Sequence, residues 1–86
     1  MDEKVTFSLS YEQLTAITER YIRQCIQNAM NVSGRGAEIE MDWARASLDH
    51  WYLLAQAGRA PEARVDADRL RMTGLIWRTP SEEVRA

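Results

Sequence analysis

Between Ala37 and Ala57 the apolar residues fall into two sets, each spaced by threes and fours. The first is Ala37, Met41, Ala44, Leu48, Trp51, Tyr52 and Ala55. The second is Ile39, Trp43, Ala46, His50, Leu53 and Ala57, with Leu54 beside it. At 100° per residue each set lines one side of a helix. Glu38, Asp42, Arg45, Asp49 and Gln56 separate the two stripes along one edge, and Glu40 and Ser47 along the other. A helix with one apolar stripe lies on a surface, whereas one with two is normally sandwiched. The pattern therefore predicts a central helix over about 37–57, covered on both sides by other elements or by a second copy of the chain.

The rest of the chain is arranged around that helix. Lys4 to Leu9 alternates polar and apolar residues, which predicts a half-buried β-strand over 4–9 with Val5, Phe7 and Leu9 inward. A single strand leaves its backbone groups unpaired, so it needs a strand from another chain. Ser10 and Gln13 fit a capping box, with Leu9 and Leu14 at the staple positions. The first helix is predicted over 11–31, with Leu14, Ile17, Tyr21, Ile22, Cys25, Ile26 and Ala29 on a wide apolar arc. Asn31 to Gly36 reads as a connecting loop, and Gly58 as the glycine just past the end of the second helix. Pro61 and Glu62 then open a third helix over 61–77. On it Ala63, Ala67, Leu70, Gly74 and Trp77 form one stripe, and Val65, Met72 and Ile76 a thinner second one. The short turn makes the second and third helices an antiparallel hairpin. Residues 79–86 read as a frayed polar tail. The fold class is thus mainly α: one domain with a short N-terminal strand and three helices.

Length sharpens this picture. A chain of 86 residues buries only roughly 60–65% of the surface its unfolded form exposes, so its core is small and dimerisation would help it. The formal net charge of −2 offers no general attraction to nucleic acid or to an anionic membrane. Cys25 is the only cysteine, so no intrachain disulfide forms, and a cytoplasmic location is expected. No apolar run suggests a secretory leader or a membrane span. Ten Arg against one Lys fits a GC-rich coding sequence, bacterial or viral.

Chemistry is thinly represented. His50 is the only histidine and stands on the second apolar stripe, where a packed core or interface imidazole is expected. Cys25 lies on the inward arc of the first helix and reads as a small hydrophobe. One Cys and one His are too few for a zinc site, so no metal is expected. Glu38 and Asp42 share a helix face beside Arg45, which suits a solvated helix start better than an acid–base pair. No enzyme activity and no cofactor are expected.

Two short resemblances stand out. The run Ala57 to Ala63, with its Gly and its Glu-Ala pair, resembles the turn of a tetratricopeptide repeat over seven residues. His50 and Trp51 depart from that pattern, and one hairpin makes no solenoid. The alternating segment followed by a capped amphipathic helix resembles the opening of a ribbon-helix-helix protein. That resemblance implies two chains pairing their strands, with Lys4, Thr6 and Ser8 reading DNA bases and Ser33 near the start of the second helix. The first helix is longer than that family's, and the loop after it is Gly-rich and followed by acids.

The aromatic residues carry the remaining signal. Trp, Tyr and Arg are the residue types enriched at interface hot spots. If the third helix leaves the second stripe uncovered, Trp43, His50, Leu53 and Leu54, with Trp77, form an exposed apolar patch of the kind that marks protein interfaces. The expected function is non-enzymatic: a homodimeric protein that binds another protein as an inhibitor, adaptor or regulator. Small chains of this profile suit a phage or mobile element and inhibition of a host defence. The alternative is a dimeric DNA-binding transcriptional regulator.

Overall fold

The computed structural model describes residues 4–77, and the tail predicted over 79–86 lies outside them. Three helices make up the described chain: α1 (Tyr11–Met30), α2 (Arg35–Ala57) and α3 (Glu62–Trp77). Their start and stop signals act locally. The Gln13 N–H donates to Ser10 Oγ (3.0 Å) while the Ser10 N–H donates to Gln13 Oε1 (2.9 Å), closing the capping box at the head of α1. Gly34 sits at φ +63° and ψ −129°, a backbone state open to glycine alone, and lets α2 begin two residues before Ala37.

The end of α2 differs from expectation. Gly58 keeps helical backbone, and Arg59 takes the left-handed state at φ +59°. The Ala60 N–H donates to the Ala55 carbonyl (3.1 Å) and the Arg59 N–H to that of Gln56 (3.0 Å). Those two bonds are a Schellman closure with a non-glycine residue at its left-handed position. Pro61 precedes α3, its carbonyl accepting from Arg64 and Val65 (both 3.0 Å).

One core joins the three helices: Ile22 and Cys25 from α1; Ala44, Leu48, Trp51 and Ala55 from α2; Val65, Met72 and Ile76 from α3. Trp51 is 1% exposed, and its indole N–H donates to Thr15 Oγ1 (2.9 Å), a buried hydroxyl on α1. Polar contacts close the seam between α1 and α3, which run parallel. The Tyr11 hydroxyl donates to Asp68 (2.6 Å), Arg71 bridges Glu19 and Asp68, and Arg64 pairs with Glu12 (2.7 Å). Arg69 lies 4.2 Å over the Tyr52 ring and Arg45 lies 4.9 Å over the Trp77 ring, which sets α2 and α3 antiparallel.

One expectation is corrected. No strand forms among the described residues: Lys4 to Ser10 has no regular structure, and Phe7 is 87% exposed rather than inward. One chain supplies no second ladder to satisfy that segment. Within one chain the described residues cover the central helix on one side only, which leaves a second copy as the expected cover for the other. Both α1 and α3 pack on its first stripe, because only there do Leu48 and Trp51 meet apolar partners on both neighbours. Among the described residues nothing covers the second stripe, and the Cα trace is only 15 Å across its thinnest axis. Helices pack about 8–10 Å apart, so that thickness holds at most two layers. On α3 the thin stripe of Val65, Met72 and Ile76 is the buried one. The Ala63–Gly74 stripe faces out, with Leu70 75% exposed. Asp68 and Arg71 flank the buried line and anchor it to Tyr11 and Glu19, which fixes the rotation of the helix.

Candidate protein-interaction surface

The bare stripe of α2 is the main feature left over by the fold. Trp43 is 50% exposed and Leu53 61%, with Ile39, Ala46, His50 and Leu54 also exposed. Their spacing of threes and fours continues from Ile39 to Ala57, so they form one straight seam. Beside it, α1 contributes Ile17 and Tyr21, both partly exposed. Between the two helices runs an apolar groove lined by Leu14, Ile17, Tyr21, Ala46, His50 and Leu54. At the α2 C-terminal end the groove continues past Leu14 and Leu54 to Phe7 and Leu9 of the N-terminal segment.

The structure brings Trp43, His50, Leu53 and Leu54 onto one face, as the spacing implied. Trp77 does not join them. It is half-exposed on α3, on the opposite flank of α2, under the Arg45 guanidinium. Arg45 also donates to Asp42 (2.9 Å), and its Nε is buried with no partner. Ile17 and Tyr21 belong to the apolar arc of α1 by their spacing, yet both are more than 40% exposed. Their place at the arc's edge, next to Gln24 on the helical wheel, was the available signal that they border the surface.

The rims of this face are charged: the α1 rim carries Arg20, and the α2 rim carries Arg35, Asp42 and Asp49 at seven-residue spacing. On the α1 side stands Arg20, one helical step beyond Ile17 and away from α2. On the α2 side stand Asp42 and Asp49, seven residues apart and on the flank away from α1. Asp42 pairs with Arg45. Arg20 and Asp49 have no ion-pair partner among the described residues.

The groups with chemical potential lie apart. Cys25 is buried in the core, and burial pushes its thiol above the ordinary range, away from the thiolate a nucleophile needs. His50 stands on the outer face of α2. No group of three or more His, Cys, Asp or Glu among the described residues is placed to hold a metal ion. No helix among them is long and apolar enough to cross a membrane. Lys4, Thr6 and Ser8 are exposed on a segment without regular structure. Comparisons with protein-family models, with curated proteins and with solved structures find no match.

Proposed function

We propose that the chain is a non-enzymatic protein–protein interaction module that regulates a partner protein by covering part of its surface, as an inhibitor or adaptor. The supporting observation is the uncovered second stripe of α2, with Trp43 and Leu53 at its centre and Ile17 and Tyr21 alongside. Monomeric proteins seldom leave contiguous apolar patches of more than a few hundred Å² in water, and larger ones mark contact sites. The stripe adds nothing to the internal core, so its apolar character serves a contact outside the chain. Straight heptad-like spacing suits a helix or helical pair on the partner. A large indole flanked by small Ala46 is the kind of anchor that dominates binding energy.

The test uses the full chain as bait, wild type against Trp43→Ala combined with Leu53→Ala. A protein captured by the wild type is then purified and titrated against both forms. The double variant should bind about 100-fold more weakly or not at all, a loss of roughly 2.7 kcal/mol from two central anchors. Equal affinity for the two forms would sink the proposal.

A further inference from the structure

We infer that the same face is self-complementary, and that the partner it takes in the absence of any other protein is a second copy of the chain. The two copies are related by a two-fold axis parallel to α1 and α2, so that α1 of each lies over α2 of the other. This rests on the reading of the face as a contact surface.

Area is the first support. Six partly exposed apolar side chains on the face, Ile17, Tyr21, Ile39, Trp43, Leu53 and Leu54, present roughly 600 Å² in all. With the polar groups among them, this approaches the roughly 800 Å² per partner of a standard stable interface.

Charge chooses the arrangement. Trp51 meets Thr15, and Asn28 meets Glu40 (3.4 Å), so α1 and α2 are antiparallel in a fixed register. That register puts Arg20 on one rim and Asp49 on the other at the same height, to within about one helical turn. A two-fold axis along the helices exchanges the rims and preserves height. It sets Arg20 of each copy against Asp49 of the other, twice in the dimer. A two-fold axis across the helices instead lays α1 on α1 and α2 on α2. Arg20 then faces the same rim of the other α1, where Gln13, Gln24 and Gln27 flank it and no acid stands. Of the two arrangements, only the parallel axis gives Arg20 an opposite charge across the interface. The same parallel axis brings the N-terminal segments of both chains to one end of the dimer, beside the other copy's Leu53. A foreign partner on this face displaces the second copy.

The test is sedimentation equilibrium of the full chain over a range of concentrations, for the wild type and four variants. The wild type should be a dimer that weakens as salt rises, because the rim pairs are exposed. Arg20→Asp alone and Asp49→Arg alone should each raise the dissociation constant about tenfold, since each reverses two symmetry-related pairs. Arg20→Asp combined with Asp49→Arg should recover most of the wild-type affinity. Trp43→Glu should give a monomer, with circular dichroism confirming that its helices are retained. Three results overturn the inference: a wild type that is monomeric throughout, a dimer indifferent to Trp43→Glu, or a combined charge swap no better than the single changes. A monomeric wild type whose captured partner is lost on Trp43→Ala with Leu53→Ala overturns the dimer and leaves the proposed function standing. A monomeric wild type whose captured partner is indifferent to that change overturns both.

Discussion

Trp43 and Trp51 are eight residues apart on one helix and serve opposite ends. Trp51 fills the centre of the core, and its one polar atom is satisfied by Thr15. Trp51→Ala removes the largest buried side chain and should cost about 3–5 kcal/mol in urea unfolding. Thr15→Val keeps the shape but leaves the indole N–H without a partner, for an expected loss of about 1–3 kcal/mol in the same assay. Arg59 offers a change of the other sign. It holds a left-handed conformation at the end of α2 that costs a side-chain-bearing residue about 1 kcal/mol, so Arg59→Gly should raise stability by about 0.5–1 kcal/mol. The sequence singled out the neighbouring Gly58 for that role. Both residues follow the last apolar position of the helix, and only the closing hydrogen bonds decide which of them turns over. Thr15 was invisible for a related reason: nothing in the local spacing separates a buried Thr from a surface one.

At the level of elements, the local start and stop signals were legible in the sequence and the buried face of α3 was not. The capping box, the glycine break and the Pro-Glu start place all three helices within two residues of expectation, because those devices act within one turn. The rotation of α3 depends on pairing with α1, which no local signal carries. There Asp68 and Glu19 are both held below the ordinary carboxylate range. For Asp68 the chief cause is the hydrogen bond from Tyr11, and for Glu19 the one from Arg71, each opposed by partial burial. A carboxyl whose folded pKa is lowered adds stability above its unfolded value and loses it as pH falls through the lowered one. Attachment of α3 should therefore be strongest at neutral pH and weaken below the ordinary carboxylate range. Asp68→Asn should cost about 1 kcal/mol at neutral pH. Unfolding curves at successive acid pH values should show the gap to wild type closing as the wild-type carboxyl is itself protonated. A gap that stays constant into acid would contradict this assignment. The Tyr11 hydroxyl is held above the ordinary phenol range, first by burial and then by its bond to Asp68. That contribution is present below the unfolded phenol value and is lost only at strongly alkaline pH.

At the scale of the whole molecule, the three helices of the described residues pack around a single line of core and leave one broad side of α1 and α2 uncovered. The two stripes of α2 were legible from spacing alone. What covers them was not, because periodicity states that a side is apolar and says nothing of how many elements are there to bury it. The described residues hold two other helices, and both pack on the first stripe. The central claim is that one stripe holds the fold while the other is kept for contacts. It is tested most directly by equilibrium urea unfolding of Trp43→Ala combined with Leu53→Ala. Protein dilute enough to be monomeric should be used, so that lost association does not enter the measured stability. The double variant should lie within about 0.5–1 kcal/mol of wild type, as expected for exposed positions. A loss of more than about 3 kcal/mol, in the range of Trp51→Ala, would show that the second stripe belongs to the core after all.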